Sequence, residues 1–460
     1  MQLKSGRLSL KEKIGFSAGD AASNLFFQTF VLYLLFFYTD VFGLPSAVAG
    51  TMFLVTRIWD AVNDPIMGMI ADRTKTKWGK FRPYILWLAI PFGVIGFFMF
   101  TTPGFGTSGN IIYAYVTYTL MMMIYTAINV PYSALMGVIT SNSLERTVLS
   151  SYRFVAAFIG LLIITSSTES LVEFFGNGDP QVGWQWTMGC FSLLAIILFI
   201  ITFFTTKERV DPPKDQKTDF KKDGKDLFTN MPWLLIAGAT VFQLTYIVIR
   251  ASTMPYYIKY YVQDHSVNIF GANIELSVSY FLTSGAIATL IGAILTKWFA
   301  KLFDKKNTYG SFLAISAASC IFFFFLEPGD IVLIYAVNIF SSFFIGPVSV
   351  LQWAMYTDTA DYGEWKNRRR ATGLIMAASL FALKLGVAIG GAITGWVLAY
   401  YGFVANQTQT SESLTGMLAL MGIYTAVIGV IGAAFIIFYP LNNKMMINIE
   451  NDLVIRREKD

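Results

Sequence analysis

Three oxygen-bearing side chains fall close together in the stretch "TRIWDAVNDPIMG": Asp60, Asn63 and Asp64, spaced i, i+3 and i+4. On a helix this spacing puts all three on one face within about a turn. Two carboxylates that near each other repel unless a cation or a proton lies between them. Oxygen ligands suit hard monovalent cations, so the cluster predicts a cation site, and a shared proton would satisfy the same pair. Pro65 removes a backbone donor beside it and can free a local carbonyl. The structural alternative is that Arg57, three residues before Asp60, merely neutralises one carboxylate, which still leaves Asp64.

A second polar group lies in "YTAINVPYSALMG", where Tyr125, Thr126 and Asn129 precede Pro131. Thr126 can add a hydroxyl ligand to a cation. Thr and Asn in apolar helices also serve only to bond neighbouring helices or their own backbone, so both readings stand for this segment.

The remaining ionisable residues inside apolar stretches are Asp20, Arg250 and Lys384, with Glu145 and Arg153 near stretch ends. Such charges are costly in lipid and normally face a protein interior or an aqueous cavity. Lys384, alone in "SLFALKLGVAIGG", is expected in the interior, with an acidic residue across a cavity as partner. Arg250 lies in "TYIVIRASTMPYYIKYY" among Tyr246, Tyr256 and Tyr257. Aromatic rings stack on sugar faces and polar groups grip hydroxyls, so this segment suits a carbohydrate. Arg250 would equally hold a substrate carboxylate through its two-pronged guanidinium. Tyr260 and Tyr261 read better as an interfacial belt.

The elements that position these residues are membrane helices. The 460 residues are 55% hydrophobic and 14% charged, against about 25% charged in ordinary soluble domains. Apolar runs recur along the whole chain, each long enough to cross the ~30 Å hydrocarbon layer. They place twelve spans at about 14–38, 45–71, 82–102, 110–138, 148–172, 184–205, 232–261, 275–299, 308–326, 330–357, 371–401 and 414–438. Continuous apolarity excludes barrel strands, which alternate over about 10 residues.

Of 34 Lys and Arg residues, all but Arg57, Arg250, Lys259 and Lys384 lie in or beside alternate connections. That asymmetry predicts a plasma-membrane protein with both termini cytoplasmic. The net charge of +5 is thereby absorbed, and no nucleic-acid partner is implied. The first apolar stretch is too long for a signal peptide and lacks a clear cleavage site. Cys190 and Cys320 have no metal-ligand spacing and read as packed thiols.

The polar segment from Lys207 to Thr229 divides six spans from six. The expected organisation is a first bundle over 1–206, a cytoplasmic linker over 207–229, a second bundle over 230–440 and a cytoplasmic tail over 441–460. "ADRTKTKWGKFRP" after span 2 has a weaker counterpart in "KWFAKLFDKKNTYG" after span 8. Two six-helix bundles around a site near the bilayer midplane is the major-facilitator architecture, so the fold class is all-α membrane protein. No nucleophile–base pattern or nucleotide-binding loop occurs, and the only histidine is His265. The chain is not expected to be an enzyme, to carry a cofactor or to need a protein partner.

Several motifs occur together in order: "GDAASN", "RIWDAVNDPIMG" with "DRTKTKWGKFRP", "VPYSALMG" with "ERTVLSSYRF", and "DTADYGEWKNRRRATG" with "LKLG". From about residue 10 to 440 the chain resembles the glycoside–pentoside–hexuronide:cation symporter family. The resemblance implies import of a sugar with Na⁺, Li⁺ or H⁺ from outside the bacterial inner membrane. It implies a cation site at Asp60, Asn63, Asp64 and Thr126. Sugar contacts carry over to Asp20, Tyr125 and Arg153, with Asn129, Arg250 and Lys384 as further candidates. It also implies a gating region at Asp358, Asp361, Glu364 and Arg370. The melibiose-type pattern has Asp where this chain has Asn129, Lys where it has Gly19, and Trp where it has Ser133 and Ser349. These departures argue against a galactosyl substrate and leave a pentoside, another glycoside or a hexuronide, with Arg250 favouring the last. The alternative is a major-facilitator carrier of a lipid or organic anion.

Overall fold

The computed structural model describes residues 8–140, 143–209, 227–263, 266–269, 272–275, 277–367 and 372–457. The chain folds as two compact units, 1–215 and 216–460.

The first unit holds six long helices. The first, α1, runs over Leu10–Leu32 and continues past a 60° bend as Leu34–Val41, the last turn of which is π-helical. The others are α2 (Ser46–Arg73), α3 (Arg82–Met99), α4 (Gly106–Ile139), α5 (Ser143–Gly176) and α6 (Pro180–Thr205). Helix starts follow ordinary capping chemistry. Asp179 accepts from the amides of Gln181 and Val182, with Pro180 at the first position, where no donor is needed. Within this unit α1 packs on α5 and α6, α3 on α4 and α6, and α2 on α4.

The second unit repeats the count. Its helices are α7 (Met231–Tyr256, continued by a π-helical turn to Val262), α8 (Val278–Phe303), α9 (Lys305–Ser319, tightened to 3₁₀ through Phe324), α10 (Ile331–Asn367), α11 (Thr372–Tyr400) and α12 (Ser411–Ile437). A thirteenth helix, α13 (Asn443–Arg457), follows. Helices α8 and α10 cross closely at two glycines. A Cβ on Gly292 would lie 2.1 Å from the Phe343 carbonyl, and one on Gly346 would lie 2.2 Å from that of Thr289. Close backbone approach of this kind is what small residues supply between membrane helices.

Among the described residues, ten helices are long and apolar enough to cross a bilayer alone, and bent α1 makes an eleventh. The twelfth is α2. At 28 residues its length suffices, but Arg57, Asp60 and Asp64 interrupt its apolarity. Apolar side chains lie on the outside as well as in the core, and polar ones lie within it. Ile58, Phe204, Trp298 and Phe325 are exposed, whereas Arg57, Asp60, Thr126, Gln243 and Asn338 are buried.

Three details depart from the expected layout. A short antiparallel hairpin, β1 (Ser266–Ile269) with β2 (Ala272–Glu275), occupies the connection between α7 and α8 and leaves the all-α class intact. Span 10 continues as α10 to Asn367, ten residues beyond the expected boundary at 357, because no proline lies in 358–367 and the one glycine there, Gly363, costs a helix only about 1 kcal/mol. The segment expected as a tail over 441–460 contains α13.

Candidate functional site

The chemistry-bearing residues of the first unit meet where α2 faces α4. The Thr126 hydroxyl oxygen of α4 lies 2.5 Å from Asp60 Oδ1 and 3.0 Å from Asp64 Oδ1. One hydroxyl proton cannot serve both acceptors at once, so the two carboxylates and the hydroxyl converge on a single point rich in negative charge. Asp60 is buried and Asp64 half-buried. Arg57 Nη1 lies 3.6 Å from Asp60 Oδ2, as the neutralising pair anticipated. Asn63 sits half-buried on α2 between the two carboxylates in sequence. All the side-chain oxygens here are hard donors, a set suited to Na⁺ or a proton. Among the described residues no cluster of three His, Cys, Asp or Glu that could hold a transition metal occurs.

A second constellation lies along α1. Arg153 of α5 donates through Nε (3.1 Å) and Nη2 (2.7 Å) to one oxygen of Asp20. The guanidinium also lies over the rings of Tyr132 (5.1 Å) and Phe16 (5.9 Å), which are stacked on each other at 4.8 Å. Gly19 makes room for this arrangement, since a Cβ there would come within 2.6 Å of the Tyr132 ring. Asn24 donates to the Asp20 carbonyl and carboxylate, and Gln28 donates to Asn24. Asp20, Asn24 and Gln28 thus form a half-buried polar stripe at i, i+4 and i+8. On α4, Asn129 donates to the Tyr125 carbonyl and accepts from Ser23 of α1. Tyr125 is half-buried against Phe92.

Of the first unit's candidates, the structure therefore gathers Asp60, Asp64 and Thr126 in one place and Asp20, Arg153, Tyr125 and Asn129 along α1 and α4. Sequence reading missed Ser23, Asn24 and Gln28 as individual residues. The signal was present, because polar side chains every fourth residue in an apolar helix mark one face.

In the second unit Arg250 turns inward. Its Nη2 donates to Asn338 Oδ1 (2.7 Å), Ser342 Oγ (3.0 Å) and the Asn338 carbonyl (3.2 Å), all on α10, and the residue is only 6% exposed. Asn338 in turn donates to Phe281 O and Ser284 Oγ on α8. Arg250 is thus a tie between α7 and α10, extended by Asn338 to α8. Lys384 lies half-buried on α11. Asp358, Asp361 and Glu364 are spaced three apart near the end of α10, and Asp358 forms a 2.6 Å bridge to Lys305 at the start of α9. Arg370 lies outside the described residues.

The fold and the buried charges define a secondary membrane carrier of the major-facilitator class. Solved structures of that fold align over nearly the whole chain. Tetrameric PepTSo2 gives a TM-score of 0.67 at 12% identity, covering 97% of this chain and 99% of that one. A bacterial homologue of the human lysosomal transporter Spinster gives 0.65 at 14% identity, covering 96% and 97%. The family model for MFS/sugar transport proteins matches residues 15–443.

Curated relatives are similar over similar lengths. The inner membrane symporter YicJ of Escherichia coli (strain K12) is 38% identical, covering 92% of this chain and 90% of the relative. The putative glycoside/cation symporter YagG of the same strain is 37% identical, covering 98% and 96%. The isoprimeverose transporter of Lactiplantibacillus pentosus is 34% identical, covering 95% and 91%. The chain belongs to the MFS/sugar transport protein family, among its glycoside–pentoside–hexuronide:cation symporters, and is a multi-pass transporter rather than an enzyme.

Proposed function

We propose that this protein imports an uncharged glycoside or pentoside together with Na⁺ or H⁺, by alternating access, across a bacterial inner membrane with both termini cytoplasmic. The carrying observation is the convergence of Asp60 and Asp64 on the Thr126 hydroxyl. Asn63 completes the cation's oxygen set. Binding a cation there offsets the repulsion of two carboxylates, and the favourable interaction grows as water is excluded. The relatives named as symporters and as a glycoside/cation symporter support the coupling.

The substrate reading rests on the Asp20–Arg153 pair. The pair is electrically balanced, yet it offers sugar hydroxyls a carboxylate acceptor and guanidinium donors. Asn24, Tyr125 and Asn129 extend that polar surface. An acidic sugar would meet Asp20 unfavourably, and Arg250, which would have favoured a hexuronide, is enclosed by Asn338 and Ser342. The likeness to an isoprimeverose transporter points the same way. Lys384 contributes on the α11 side, and Asp358, Asp361, Glu364 and Arg370 act in cytoplasmic gating.

Uptake into right-side-out vesicles tests this, with neutral pentosides, glycosides and hexuronides each presented with and without a Na⁺ or proton gradient. Gradient-driven accumulation of a neutral sugar, abolished in Asp60→Asn and Asp64→Asn, is expected. Accumulation that ignores both gradients and survives both substitutions defeats the coupling assignment.

A further inference from the structure

The thirteenth helix has no place in a twelve-span carrier, yet it is seated with care. Met446, Ile449 and Leu453 recur at i, i+3 and i+7 and are 2–4% exposed. That periodicity is one buried stripe, whereas Ile447 and Ile455 on the same helix are exposed. The stripe packs on α10. Polar contacts then fix the register at both ends. At the near end, the Asn443 amide donates to Asp304 Oδ2 at 2.8 Å. Asp304 is the residue between α8 and α9, held at φ 73°, and its other oxygen caps α9 through the Lys306 amide. At the far end, Trp365 Nε1 donates to Asp452 Oδ2 at 2.9 Å, and Arg456 Nη1 donates to the Trp365 carbonyl at 2.9 Å.

These bonds form a closed loop with the Lys305–Asp358 bridge. The turn between α8 and α9 holds α13, α13 holds the end of α10, and that end is held to the same turn. At 37 residues, α10 is about 55 Å long at 1.5 Å per residue, far beyond the ~30 Å hydrocarbon layer. Its last ten residues carry Asp358, Asp361, Glu364 and Trp365, and a helix of this length exceeds one crossing by more than those ten residues. A projecting helix end with no packing partner frays.

We propose that α13 is a brace that keeps the charged end of α10 helical and fixed to the α8–α9 turn, so that this end moves with those helices as one body. The functional consequence rests on the symport reading above: Asp358 to Glu364 keep one register throughout the transport cycle, and losing the brace slows the cycle without changing sugar affinity.

The test uses full-length protein in detergent and reads amide hydrogen exchange by segment. Ile449→Asn is expected to unseat α13 and raise exchange over 358–367 by roughly tenfold, with α7 unchanged. Asp452→Asn gives a smaller rise, and Ile449→Leu gives none. If 443–457 exchanges fast in Ile449→Asn while 358–367 keeps its protection, there is no brace. Continued protection of 443–457 in that variant, or loss of protection spreading to α7, also overturns the proposal. In proteoliposomes the same variant is expected to lose severalfold in maximal uptake rate at unchanged KM. Absence of any coupled uptake by the unmodified protein speaks against the symport reading alone and leaves the exchange result standing.

Discussion

Thr126 is the residue on which the proposed cation site turns, because its hydroxyl oxygen lies against both carboxylates of α2. Hydrogen bonds to charged groups contribute about 1.5–3 kcal/mol each, so Thr126→Ala is expected to weaken cation activation by about tenfold or more, at 1.4 kcal/mol per tenfold. Thr126→Ser, which keeps the hydroxyl, is expected to stay near the unmodified value. Titrating uptake against Na⁺ separates the two. The residues proposed to meet sugar should behave differently. Arg153 holds Asp20 with two nitrogens on one oxygen, a geometry that the single ammonium of Lys cannot reproduce. Arg153→Lys is therefore expected to raise KM for sugar by about tenfold while leaving half-maximal Na⁺ activation unchanged. A parallel loss in both would show that the two constellations are not separate. Gly19 belongs with this group. Placing Ala there drives a methyl into the Tyr132 ring, so the substitution should mimic Arg153→Lys in KM.

At the scale of elements, the two units manage their charged ends by related means. In the first, Glu208, just after α6, accepts hydrogen bonds from the amides of Lys80, Phe81 and Arg82 at 2.8–2.9 Å. These are unsatisfied donors at the start of α3, where a carboxylate also meets the positive end of the helix dipole. Arg209 next to it bridges to Glu12 at the start of α1, while Lys13 bridges to Glu145 on α5. In the second unit the chain leaving α12 returns to the start of α9 through Asn443 and Asp304. Each unit thus ties the chain leaving its sixth helix to the turn before its third. Glu208→Gln keeps the shape but removes the charge from three donors. It is expected to lower the melting temperature in detergent by roughly 2–4 °C per kcal/mol lost in a unit of this size, with sugar KM unmoved. An unchanged melting temperature would make the contact incidental.

For the whole molecule, coupled binding must be reciprocal. If saturating Na⁺ lowers the dissociation constant for sugar by some factor, saturating sugar must lower that for Na⁺ by the same factor. Titration calorimetry in both directions measures that factor, and a factor of one would rule out coupled binding. Orientation is a second property at this scale. A tag after Asp460 is expected to be reachable only from the cytoplasmic side of sealed vesicles, and access from outside would reverse the assigned topology.

The amino-acid sequence by itself determined the membrane class and the all-helical fold, and it singled out the residues to test. Those signals are local. Lipid demands about 20 apolar residues per crossing whatever the neighbours, and a charge inside such a run stands out without any partner being known. The i, i+3, i+4 spacing of Asp60, Asn63 and Asp64 is likewise a property of one helix. What only the tertiary structure decided depends on pairs distant in the chain. That Thr126 meets Asp60 across 66 residues, and that Asp20 is the partner of Arg153, follow from which helix packs on which. Arg250 shows the difference most clearly. Its sequence surroundings suited a substrate carboxylate, but the packing of α7 on α10 delivers Asn338 and Ser342 to it instead. The tail helix was unreadable for the same reason. Its apolar and polar residues are mixed, and only the packing of α13 on α10 shows that Met446, Ile449 and Leu453 are the ones covered.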